Sequence, residues 1–164
     1  MNASGLSTDL FFVAAIKSNA ELMQMLPARD IYNNVANPDF DMGNVALPYV
    51  IVNNDGGKND TGTKDDRYES EDDNVNISVR IVARNRKELD TIASEVRRTI
   101  HKYICDMDDL ISEGEDPEGV ELKPNDYNMS FSDIAYDMLK PSHYIMLYYQ
   151  CEVGNYTNNE TENG

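Results

Sequence analysis

An α+β single domain is the fold class this sequence predicts, with a mostly antiparallel sheet and helices packed on one of its faces. Three observations carry the prediction. First, Val75, Ile77, Val79, Ile81 and Ala83 alternate with Asn76, Ser78, Arg80, Val82 and Arg84, the period of a half-buried strand. Second, a helix follows at once: Leu89, Ile92, Ala93, Val96, Ile100, Tyr103 and Ile104 fall within an arc of about 120° at the helical repeat, and no charge interrupts them. Third, the elements read in the order α-β-β-α-β-β without an internal repeat, which suits helices collected on one face of a sheet. A chain of 164 residues fits one such domain, here residues 1–153 followed by a disordered tail at 154–164.

The first element is a helix from about Ser7 to Leu26, with Ser7, Thr8 or Asp9 as N-cap and Pro27 as its stop. Phe12, Ala15, Ile16, Leu22, Met23 and Leu26 give it a wide apolar face. Residues 27–45 hold Pro27, Pro38, Gly43 and several Asn and Asp, so they read as a connection. Leu47-Pro-Tyr-Val-Ile-Val52 is the first strand, with Pro48 near its start, where a missing N–H is tolerated. Asn53–Asp73 then carries eight acidic residues, three basic ones and three glycines. Burial in so polar a stretch cannot offset the entropy of ordering it, so a mobile loop or long hairpin tip is expected, and with it a partner-dependent element.

After the strand at 75–83, Asn85 stands three residues before Glu88, a variant of the reciprocal capping box. Asp106–Glu118 has seven acidic residues and no cation, so residues 105–119 read as an acidic loop beyond a frayed helix end. Val120–Phe131 reads as a strand interrupted at Pro124-Asn-Asp126. Residues 132–139 fit a helical face through Ile134, Ala135, Met138 and Leu139, or an irregular strand. Tyr144–Val153 is the last strand, with Ile145, Leu147, Tyr149, Cys151 and Val153 on one face and Tyr144, Met146, Tyr148, Gln150 and Glu152 on the other.

The net charge of −16 opposes any surface that must neutralise phosphates, so DNA is expected as a repelled neighbour rather than a ligand. The longest apolar run, Leu10–Ile16, is far short of the ~20 residues that span a bilayer, and no basic stretch precedes it as in a signal peptide. Cys105 and Cys151 match no metal motif and are expected as reduced, partly buried thiols in a cytoplasm. Asn59-Asp-Thr61 and Asn155-Tyr-Thr157 fit the glycosylation pattern only as an Asn-rich chain would by accident.

No constellation for catalysis is assembled. Calcium-loop spacing begun at Asp55 or Asp60 puts glycines or lysines on ligand positions. Of the two histidines, His101 lies on the polar side of the helix near its C-terminal end and His143 precedes the last strand, neither in a nucleophile motif. Gly56-Gly57-Lys58 has no following helix and is no phosphate cradle. The tyrosines at 144, 148 and 149 lack the basic groove of a single-strand platform and read as buried strand or subunit interface. No catalytic residue, cofactor or metal is expected.

Taken together, Leu47-Pro-Tyr-Val-Ile-Val52, the polar excursion after it, the strand Val75–Ala83 and the helix Glu88–Ile104 resemble the tail-completion or tail-terminator proteins of tailed bacteriophages. The resemblance implies an α/β sheet domain whose copies join into a ring, guessed as six- or twelve-fold, at the tail or head–tail junction. It also implies contacts to neighbouring tail or neck and portal proteins, passage of genomic DNA without specific binding, assembly in the host cytoplasm and residence in the virion. The loop between the first two strands contributes to contacts in that family, which directs attention here to Asn53, Asp55, Lys58, Asp60, Lys64, Arg67 and Tyr68, with Tyr144 and Tyr148 added from the last strand. The 105–119 segment, the 132–139 segment and the Asn-rich tail depart from the pattern. An acidic lumen would repel transiting DNA. An acidic inhibitor or immunity-type protein that caps a basic partner accounts for the charge as well, and a hydrolase with a loop carboxylate–metal site is a third reading.

Overall fold

The computed structural model describes residues 4–27, 31–34, 45–60 and 70–156. Two helices, α1 (Ser4–Lys17) and α2 (Ala20–Met25), precede a two-residue strand β1 (Tyr32–Asn33) and the long strands β2 (Tyr49–Asp60) and β3 (Ser70–Ala83). Helix α3 (Arg86–Ser112) and a 3₁₀ turn (Val120–Leu122) lead to β4 (Asp126–Phe131), β5 (Ala135–Asp137) and β6 (Ser142–Tyr156). The six strands form one mixed sheet in the order β1-β2-β3-β6-β4, with β5 also on β6. All pairings are antiparallel except that of β1 with β2.

Alternation decides which side of the sheet the helices cover. Val50, Val52, Val75, Ile77, Val79, Ile81, Ile145, Leu147 and Tyr149 are buried in one core with Phe12, Ile16, Leu89, Ile92, Val96 and Ile100. The opposite face holds a smaller cluster of Tyr49, Ile51 and Val82, against which Tyr32, Val45, Leu47 and Tyr144 pack.

The expected first helix is two. Asn19 accepts from Leu22 N at 3.1 Å and so caps a second helix where one continuous helix was expected. Nor do Ser7, Thr8 or Asp9 start α1: Thr8 and Asp9 are buried within it. Asp9 Oδ2 accepts from Asn33 Nδ2 at 3.0 Å and Asn34 Nδ2 at 2.8 Å, while Asn34 Oδ1 accepts from Asn54 N at 2.8 Å. That relay seats β1, inside the stretch read as plain connection, between α1 and β2.

Of the two readings of 53–73, a mobile loop or a long hairpin tip, the loop is corrected for 53–60 and 70–73, which form the paired arms of a long hairpin. Strand β2 continues through Asp60 and β3 already begins at Ser70, because β6 lies alongside β3 as far as Ser70↔Tyr156 and supplies backbone partners. A β-bulge between Asn54 and Gly57 absorbs the register shift, with Gly56 at φ +93°, where a side chain is strained. Likewise β6 runs on into the supposed tail, to Tyr156; residues 61–69 and 157–164 lie outside the described residues.

The 105–119 loop is helix as far as Ser112. Met107 extends the buried stripe one turn past Ile104, and Asp108 Oδ1 lies 2.6 Å from the buried Lys123 Nζ, which pins the helix end to the 3₁₀ turn. At the other end Asn85 accepts from Glu88 N at 2.9 Å, while the Glu88 carboxylate reaches Arg84 N at 3.0 Å, one residue earlier than in the reciprocal box. The expected strand at 120–131 is a 3₁₀ turn and then β4, divided at Pro124, and 132–139 holds the short strand β5 and no helix.

Candidate functional site

Strand β6 places the expected interface tyrosines. Its outward row pairs Tyr144 with Val82 and Tyr148 with Ser78 across β3, and these in turn lie opposite Tyr49 and Asn53 of β2. Asn53, Tyr144 and Tyr148 therefore share the face away from the helices. Tyr144 is half-buried, with the Arg80 guanidinium 4.4 Å from its ring centroid, so much of its surface is already used within the domain. Tyr148 is exposed and, with Asp55, Asn76 and Asn128, lines a recess of about 450 Å³.

Lys58 is exposed on the outer part of β2, and Asp60 ends that strand. Asn59 Nδ2 donates to Asp73 Oδ1 at 2.7 Å across the ladder, and a Cβ on Gly5 would collide with the Asp73 carboxylate, so α1 closes directly on the base of this arm. Lys64, Arg67 and Tyr68 lie outside the described residues. Of the expected contact residues, Asp55 and Tyr148 are brought together.

At the far end of β6, the β5–β6 turn presents a feature that residue patterns alone did not single out. Met138 and Leu139 stand 81 % and 98 % exposed, beside exposed Tyr136. The turn is nonetheless held: Asp137 Oδ1 accepts from Leu139 N at 2.9 Å, Ser142 Oγ donates to Lys140 O at 2.7 Å, and Lys140 Nζ donates to Val45 O at 3.0 Å. The signal in the sequence was the apolar pair followed by Lys140-Pro141, which a helical reading turned toward the core.

His101 sits mid-helix rather than near the C-terminal end, because α3 runs on to Ser112. Its Nδ1 lies 2.7 Å from the Tyr127 hydroxyl and its Nε2 3.7 Å from Cys105 Sγ. A thiol and an imidazole one helical turn apart are the first two members of a nucleophilic triad, but the third place is held by a phenol. Burial, followed by the neighbouring Cys105 and Cys151, raises the Tyr127 pKa, so this phenol is neutral and supplies none of the charge a carboxylate gives an imidazolium. Cys105 is exposed, against the expectation of a partly buried thiol, whereas Cys151 is buried and its thiol is pushed up to about 12 by desolvation. Neither is in a disulfide.

Among the described residues no group of three or more His, Cys, Asp or Glu is placed to hold a metal ion, and no helix is long and apolar enough to cross a membrane. No protein-family model matches the chain, and no curated protein matches its sequence.

Proposed function

We propose that this chain is a structural protein that assembles with copies of itself into a ring, of the tail-terminator or tail-completion kind found at the tail or head–tail junction of tailed phages. It works by complementary surfaces, without turnover. The observation that carries the reading is the pair of adjacent, almost fully exposed apolar side chains, Met138 and Leu139, on a turn fixed by its own hydrogen bonds. Large apolar groups displayed on an ordered turn favour a partner that covers them. The turn and the acidic β2–β3 arm lie at opposite ends of β6, roughly 45 Å apart at the rise of a strand. Two unlike surfaces at opposite ends of one protomer suit a head-to-tail interface, the kind that closes into rings. Docking to neighbouring tail or neck proteins and residence in the virion belong to this same proposal, as does an acidic surface that DNA passes without binding.

Native mass spectrometry of the wild type and of Met138→Ser/Leu139→Ser tests it. A closed oligomer of one copy number, six or twelve, is expected for the wild type, and monomer for the variant with unchanged thermal unfolding. A wild type that stays monomeric at high concentration overturns the ring. The net charge of −16 favours a second reading, an acidic inhibitor of a basic partner, and a monomer would direct attention to it.

A further inference from the structure

Where the middle turns of α3 face β4 and β6, Arg97, Arg98, His101, Tyr127, Met129 and Tyr149 line an open cavity of about 470 Å³. Two arginines and a histidine converge there, in a chain of net charge −16. Two of these groups are already engaged: Arg98 Nη2 donates to Glu95 Oε2 at 2.8 Å, and His101 is bonded to Tyr127. Two are not. Arg97 has no carboxylate partner among the described residues; its guanidinium lies 6.0 Å from the Phe131 ring centroid, which leaves its N–H fork to an incoming acceptor. Tyr149 is only 2 % exposed, and its buried hydroxyl has no hydrogen-bond partner. A buried donor left unmet is a cost that a bound acceptor removes. Burial, and after it Tyr127, raises the Tyr149 pKa while Arg97 opposes the shift. The phenol therefore stays a donor, and Arg97 is close enough for its charge to be felt.

We propose that this cavity is a carboxylate-binding site whose occupant is an acidic side chain from residues Glu113–Glu118 of a second copy of this chain. The inference rests on the ring reading and gives its interface a direction. A planar carboxylate matches the guanidinium fork with two oxygens and leaves lone pairs for the Tyr149 hydroxyl. Glu113, Glu115, Asp116 and Glu118 are exposed and have no ion-pair partner among the described residues. Glu113, at the C-cap, is too far to reach its own cavity, sixteen residues beyond Arg97 and roughly 24 Å at the helical rise. A cationic cavity midway along α3 and an anionic stretch that begins at the C-cap of the same helix are complementary between copies, and such a head-to-tail interface closes into a ring.

Charge reversal tests the pairing, read by native mass spectrometry across a concentration series. Arg97→Glu is expected to raise the dissociation constant of assembly roughly a hundredfold, and Glu115→Arg/Asp116→Arg to do the same. Combining all three substitutions in one chain is expected to restore assembly. If the wild type assembles and Arg97→Glu assembles equally well, the inference is overturned and the ring stands; a monomeric wild type overturns both. Sodium acetate titrated against the wild type, followed by NMR, probes the cavity independently of assembly. Saturable shifts of the Tyr127 and Tyr149 ring signals, absent in Arg97→Gln, are expected, and their absence from the wild type overturns the carboxylate assignment. Arg97 is exposed, so its replacement leaves the core intact, which an unchanged thermal midpoint verifies.

Discussion

On the helix-covered side of the sheet, Phe12, Ile77, Ile81, Leu89 and Ile92 are sealed from solvent, whereas at the β5–β6 turn Met138 and Leu139 stand almost entirely in it. Both regions are apolar and both are ordered, but for different reasons. The first is held by burial: Phe12 packs 6.0 Å from Phe11 and 5.0 Å from Tyr149 between ring centroids, within a continuous core. The second is held by backbone and side-chain hydrogen bonds around Asp137, Lys140 and Ser142, which fix the turn without covering its side chains. Apolar surface that contributes nothing to the fold of the monomer is surface available to a partner.

This contrast sets the order of expected effects on stability. Phe12→Ala empties a fully buried site and is expected to cost about 3–5 kcal/mol, measured by urea denaturation. A cost near zero would mean that α1 is not part of the core. Asp9→Ala leaves the Asn33 and Asn34 amides without their shared acceptor and is expected to cost about 1–3 kcal/mol, with faster hydrogen exchange of Asn54 N–H as its local signature. Unaltered exchange there would break the proposed relay.

Alkaline pH acts on the same core. Desolvation raises the Cys151 pKa to about 12 from its ordinary 9.0, and Tyr149 is raised as well. The folded state thus retains a proton that the unfolded chain gives up. The resulting stability is complete below pH 9 and is lost as pH rises toward about 12, at about 1.4 kcal/mol per pH unit for the thiol. Cys151→Ala is expected to flatten that limb of the pH–stability curve. Iodoacetamide should label Cys105 in the native protein and Cys151 only after denaturation; rapid native labelling of both would contradict the packing of β6.

Asn85→Ala removes the N-cap of α3 and is expected to cost about 1 kcal/mol, read as a shift in the denaturation midpoint at constant slope. Smallest of all, Leu139→Ser is expected to alter monomer stability by less than about 0.5 kcal/mol, because its side chain has almost nothing to lose. A large loss would show that the turn is part of the fold and weaken its assignment as a contact surface.

Where periodicity was local, it was legible. The alternation over Val75–Ala83, the stripe of α3 through Ile104 and the two faces of β6 between Tyr144 and Val153 are as the residues predicted, and Asn85 caps the helix it precedes. The candidate site was read less fully. Tyr148 and Asp55, expected at an interface, do share a recess, but the spacing of Met138 and Leu139 fits a helical face that does not form, and no pattern in the residues groups Arg97, Tyr127 and Tyr149. Those three come from elements far apart in the chain, and no spacing rule joins them.

What the sequence determined by itself is the α+β class, the acidic character and the side of each long element that turns inward, because all three depend on the identities of near neighbours along the chain. Tertiary structure decided where the elements stop. β2 and β3 extend through Asn53–Asp60 and Ser70–Asp73, residues too polar to order themselves, with β6 supplying backbone partners along β3 as far as Ser70. α3 passes Ile104 into a run of acids because Met107 finds the core and Asp108 finds Lys123. In each case a partner distant in sequence supplies the hydrogen bonds or the burial that local composition lacked.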